Sequence, residues 1–155
     1  MSNSVSVFNR QRAARIDNQL LGRLTCRLLE EAIDGKACEL SIFLVGERRI
    51  TELNEEYVQH TGPTDVITFD YRDDTRPGWL GGDIFVCVPV AIAQASRFRV
   101  PWQEEVLRYV VHGVLHLSGM EDHSDSGYRR MKREEKRLLK KLVPRSGVSR
   151  LGKIR

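Results

Sequence analysis

Three of the chain's four histidines fall in one stretch, His112-Gly-Val-Leu-His116-Leu-Ser-Gly-Met-Glu-Asp-His123. Residues four apart on a helix share a face, so His112 and His116 can aim two imidazoles at one point. Gly119 lets the chain reverse past the helix end, and His123 can then return as a third nitrogen ligand. Three neutral imidazoles around Zn²⁺ leave one tetrahedral position for water, which is the catalytic rather than the closed structural arrangement. Two histidines alone read equally well as hydrogen-bonded core residues, and the third, after a glycine stop, tips the reading towards a metal. The peptidase pattern H-E-x-x-H is excluded, because Gly113 stands where its general base would be. Glu121 and Asp122 beside His123 are candidate partners of a ligand histidine, or proton acceptors.

The element that must carry the pair begins at Pro101, a residue suited to a first helical turn. Leu107, Val110, Val111, Val114 and Leu115 form its core face, and Ser118-Gly119 stops it. Upstream, Ser4 to Phe8 alternates like a strand, and Asp17 can cap a helix through Leu20, Leu21, Leu24, Leu28 and Leu29 that ends at Gly35. Strands are expected at Leu40 to Val45, Val66 to Phe69 and Asp83 to Val88, with a polar loop over 70–82. Short helices are expected over 50–59 and 89–99. A last helix runs from about Ser126 to Leu142 and ends at Pro144. These elements predict an α/β (α+β layered) fold: a small mixed sheet of about four strands packed with about five helices, the metal site lying at the end of a central helix.

The 155 residues, 41% hydrophobic and 30% charged, suit one folded domain and argue against disorder or a membrane protein. Cys26, Cys38 and Cys87 have no C-x-x-C spacing and read as free thiols in a reducing cytosol. The N-terminus lacks a signal-peptide pattern. The net charge of +4 hides an asymmetry: residues 1–123 carry 13 basic and 18 acidic side chains, residues 124–155 carry 12 and 3. A basic end can serve a polyanionic partner, although a solvated helix face is the commoner reason for such a run. The expected organisation is a domain over 1–143 with a flexible basic tail over 144–155.

The stretch from His112 to His123 resembles the H-G-x-L-H-L-x-G-x-D-H region of the YbeY-type endoribonucleases, also called rRNA maturation factors. Leu53-Asn54-Glu55-Glu56-Tyr57 is similar to that family's L-N-x-x-Y piece. Pro63-Thr64-Asp65-Val66-Ile67-Thr68-Phe69 is similar to P-T-D-V-L-S-F, and Gly82-Asp83-Ile84 to its G-D-I strand. The pieces follow in the right order across roughly residues 40 to 131. The resemblance implies a zinc-type metal held by His112, His116 and His123, and RNA hydrolysis serving 16S rRNA processing and ribosome quality control. Two departures stand out. This chain has one residue more before its last histidine, and Val58 occupies the place of an Arg thought to contact phosphate; His60, Arg72 and Arg97 are the nearby candidates to replace it.

The function expected is therefore a cytoplasmic, metal-dependent endoribonuclease acting on single-stranded RNA, with one Zn²⁺ or another divalent metal and with rRNA and the small ribosomal subunit as partners. The metal would act through His112, His116 and His123. Arg129, Arg130, Arg133 and Lys136 are candidate contacts to the RNA backbone, and the end of the chain is an electrostatic handle. The alternative, kept open by Val58, is a non-catalytic RNA- or ribosome-binding factor with a structural zinc. Asn54, Thr64, Asp65 and Asp83 read as capping and turn residues that shape the cleft floor.

Overall fold

A computed structural model of the chain describes residues 3–33 and 37–155. Four strands form the main sheet: β1 (Asn3–Arg10), β3 (Ala37–Val45), β4 (Val66–Asp70) and β5 (Trp79–Cys87). Its spatial order is β1-β3-β5-β4; β1 and β5 both run parallel to β3, and β4 is antiparallel to β5. The helices are α1 (Asn18–Ala32), α2 (Glu47–Leu53, continued by one π turn over Asn54–Val58), α3 (Val88–Phe98), α4 (Trp102–Leu117) and α5 (Asp125–Ser146). This is the mixed four-stranded sheet with five helices expected from the sequence.

Strand periodicity decides which side chains meet which helices. Cys38, Leu40, Ile42 and Leu44 of β3 alternate onto one face, where with Ile84 and Val86 of β5 they join Leu21, Leu24 and Leu28 of α1 and Val110, Val111 and Val114 of α4 in the main core. The other face is shared between α2 and an aromatic row: Val45, Ile67, Phe85 and Cys87 pack with Ile50 and Leu53, and Phe8, Phe43 and Phe85 stack at centroid spacings of 5.0 and 4.6 Å. Ten of the sixteen residues of α4 are buried, so it is the central helix. Asp17 caps α1 as expected, accepting from the Leu20 N–H at 3.0 Å. Gly35, the expected stop, lies outside the described residues.

Several expectations change. The loop over 70–82 is shorter, because β5 already begins at Trp79. Gly81 and Gly82, which look like turn residues, are strand residues in tight quarters: a Cβ on Gly82 would sit 2.6 Å from the Phe69 carbonyl oxygen and 2.7 Å from Leu117. Helix α5 continues past Pro144 to Ser146. The segment expected as a flexible tail instead forms a 3₁₀ turn (Val148–Leu151) and a strand, β6 (Gly152–Ile154), antiparallel to β2 (Ala14–Ile16). Leu151 is fully buried, the Asp17 N–H donates to its carbonyl at 2.7 Å, and the Gln103 side chain donates to the Gly152 carbonyl at 3.0 Å. An apolar anchor, Leu151, and a short antiparallel pairing with β2 hold this segment to the body. Cys38 and Cys87 are buried and free, and burial pushes both thiols up to about 11. No helix among the described residues is long and apolar enough to cross a membrane.

Candidate metal centre

The histidine pair sits on the last two turns of α4. Gly113 explains how that helix comes so close to the sheet: a Cβ there would lie 2.7 Å from Ile84 Cδ1 and 3.0 Å from Thr68 Oγ1. His112 and His116 flank the contact and face a pocket of about 620 Å³ whose opposite wall includes Val66, Ile67 and Thr68 of β4. Their rings cross edge to face, with centroids 4.5 Å apart and Nε2 atoms 2.9 Å apart. The helix then ends in a Schellman turn. Gly119 at φ +104° donates to the His116 carbonyl at 3.0 Å, and the Met120 N–H donates to the Leu115 carbonyl at 3.1 Å. Ser124 caps α5 by accepting from the Gly127 N–H at 3.0 Å, which fixes the loop at its far end.

A buried carboxylate orients the first histidine. The Nδ1–H of His112 donates to Glu135 Oε2 at 2.7 Å, and Glu135 is only 2% exposed. Arg108 Nη1 and Lys132 Nζ lie 3.6 and 3.5 Å from the other Glu135 oxygen. Arg108 is itself held by Glu105 through two 2.7 Å bonds. Burial raises the Glu135 carboxyl, but the hydrogen bond from His112 and the charges of Lys132, His112 and Arg108 outweigh it, leaving the group below its ordinary value. With Nδ1 donating, the lone pair of neutral His112 lies on Nε2, facing the pocket. Burial and the neighbouring His112 hold His116 below the ordinary imidazole value, against the upward pull of Asp122. His116 is therefore neutral near pH 7, with a lone pair to offer.

The structure brings together His112, His116 and Asp122, whose ligand atoms all lie within 4.8 Å of one another. Asp122 Oδ2 is 3.9 Å from His112 Nε2 and 4.0 Å from His116 Nε2. Two donors on a tetrahedral zinc are about 3.3 Å apart, so the residues present fit a divalent metal after small side-chain shifts. His123 lines the same pocket but does not belong to this close group. It is exposed, and its backbone N–H donates to Glu121 Oε2 at 3.0 Å.

The remaining candidates divide by location. Asn54, Val58, His60, Thr64 and Asp70 line the pocket. Buried Asn54 holds the wall by donating to the Gly62 carbonyl at 2.8 Å, and Asp65 accepts from the Val66 N–H at 2.7 Å, both as turn residues. Asp83 accepts from the Tyr71 hydroxyl at 2.7 Å outside the pocket. Arg72 pairs with Asp70 at 3.1 Å, and Arg97 packs over Phe98. Neither lines the pocket, and nor do Arg129, Arg130, Arg133 and Lys136. Those four lie exposed along α5. The residue that sequence reasoning missed is Glu135. Its signal was present: position 135 falls on the apolar stripe Met131, Leu138, Leu139 and Leu142, where a carboxylate needs a partner.

The family profile described as Endoribonuclease YbeY matches residues 6–143. The chain belongs to this family. One relative, Endoribonuclease YbeY from Chlorobium luteolum, is 35% identical over 131 residues, covering 83% of this chain and 90% of its own length. Another, from Treponema denticola, is 34% identical over 134 residues, covering 81% and 84%. The solution structure of a Thermotoga maritima protein shares the fold, with a TM-score of 0.62 over 91% of this chain and 90% of that one at 23% identity.

Proposed function

We propose that this chain is a cytoplasmic metal-dependent endoribonuclease that hydrolyses single-stranded RNA, with rRNA of the small ribosomal subunit as substrate. The observation that carries the reading is the pair of Nε2 atoms at 2.9 Å, with a carboxylate about one ligand spacing away, at the wall of an open pocket. Membership of the Endoribonuclease YbeY family supports the same activity. His112 and His116 hold the metal, and the loop after α4 supplies the rest of its protein ligands. Zinc suits imidazole donors best among common hydrolytic metals. When bound, such a metal acidifies water and neutralises charge developing on a phosphoryl oxygen.

The chain's own groups do the positioning. Glu135 fixes the ring of His112, Asn54 holds the facing wall, and the Thr64 and Thr68 hydroxyls offer hydrogen bonds to a sugar–phosphate backbone. Helix α5 begins two residues after the pocket-lining His123, and its exposed Arg129, Arg130, Arg133 and Lys136 continue outward as a positive track for RNA. The test is RNA cleavage by nuclease-free protein with and without chelator, beside His116→Ala. Cleavage by wild type alone, abolished by chelator, is expected. Equal cleavage by wild type and variant would remove the catalytic metal, and RNA binding without cleavage by either would leave a binding factor.

A further inference from the structure

We propose that Asp122 is the third protein ligand of the metal in this chain, and that His123, freed from coordination, faces the RNA backbone. The proposal rests on the metal-dependent reading above. In the H-G-x-L-H-L-x-G-x-D-H pattern the last histidine is the sixth residue after the second. The sixth residue after His116 is Asp122, and His123 is the seventh.

Loop geometry shows that the extra residue is not absorbed before the ligand position. The Schellman turn fixes the path out of α4 through Gly119 and Met120. Glu121 clamps the far side, its carboxylate accepting the His123 N–H at 3.0 Å and lying 3.4 Å from the Ser124 hydroxyl. Between these two fixed points the side chain that turns inward is Asp122, at 3.9 and 4.0 Å from the two imidazole nitrogens. His123 lines the same pocket, exposed and outside this close group.

The resulting set, two imidazoles and a carboxylate, is one that holds catalytic zinc with an open position in unrelated hydrolases. It also carries one negative charge more than three imidazoles, and its oxygen donor is harder, which moves preference towards metals such as Mn²⁺. The freed histidine answers a need elsewhere in the pocket. Val58 stands where the family pattern has an Arg, and among the described residues no Lys or Arg lines this pocket. His123 and His60 are the lining side chains outside the metal pair that can donate ring N–H groups to phosphate oxygens.

The experiment measures metal uptake, free of any activity readout. Apo wild type, D122A, D122H, H123A and H116A are titrated with Zn²⁺, Mn²⁺ and Co²⁺, with metal counted after dialysis and the Co²⁺ visible spectrum recorded. Thermal melting checks that each variant folds. D122A is expected to weaken uptake at least about tenfold, as H116A does. H123A should keep one equivalent and the wild-type Co²⁺ spectrum, while its KM for RNA rises. D122H should bind metal, with an altered Co²⁺ spectrum and a raised preference for Zn²⁺ over Mn²⁺. Loss of metal from H123A, or full retention by folded D122A, would overturn the assignment while leaving the metal-dependent enzyme standing. Wild-type protein that takes up no metal would overturn both.

Discussion

Glu135 shows how much of the centre depends on one side chain that touches neither metal nor RNA in the proposed reaction. It is buried, it fixes His112, and it compensates Arg108 and Lys132. Removing one partner of such a buried pair strands the others, so Glu135→Ala should cost about 3 kcal/mol in chemical denaturation and weaken metal binding by roughly tenfold to a hundredfold. Its pH signature has a definite sign. A carboxyl held below its ordinary 4.5 in the folded state adds stability above that value and loses it as the pH falls through the folded pKa. The melting temperature of wild type should therefore fall more steeply below pH 4.5 than that of Glu135→Gln, which is already the less stable of the two near neutrality. The histidine pair was legible because helical spacing fixes i and i+4 on one face. Glu135 was not, because its partner lies on another helix, 23 residues earlier in sequence.

At the scale of elements, the approach of α4 to β4 and β5 makes the pocket. Gly113→Ala tests it with two opposed effects. The substitution improves helix propensity by about 1 kcal/mol, but the new methyl meets Ile84 and Thr68, an overpacking that costs about 1–3 kcal/mol. The expected net result is a lower melting temperature, and metal affinity falls because the helix is pushed off the sheet. Element types and order could be read from the sequence, since apolar periodicity separates strands from helices wherever burial is one-sided. Boundaries could not be read where tertiary contact overrides local preference. Gly81 and Gly82 look like loop residues and instead lie in β5 under Trp79 and Leu117, and α5 runs on beyond Pro144. The spacing predicts that the loop between α4 and α5 delivers His123 to the pocket, and His123 does line it, but the loop also brings Asp122 within 4.8 Å of the histidine pair. Spacing patterns do not reveal where a loop takes up an inserted residue.

For the molecule as a whole, the lopsided charge survives as a track along α5, whereas the end of the chain has a structural role. Deleting 148–155 uncovers the Leu151 site and unpairs β2. The loss should be about 1.5–3 kcal/mol from the leucine alone, seen as a lower denaturant midpoint. Changing Arg129, Arg130, Arg133 and Lys136 to Gln should leave that midpoint nearly unmoved and weaken RNA binding. Each lost phosphate contact should flatten the logarithmic salt dependence by about 0.7, to a total of about 3.

In the proposed reaction, a pocket wall without Lys or Arg among the described residues separates encounter from turnover. The positive charge proposed to attract RNA lies on α5, open to counterions, while the groups lining the pocket are imidazoles, hydroxyls and carboxylates in a recess. Raising ionic strength should slow capture and leave the bond-breaking rate at saturating RNA almost constant, so that KM climbs while kcat stays level.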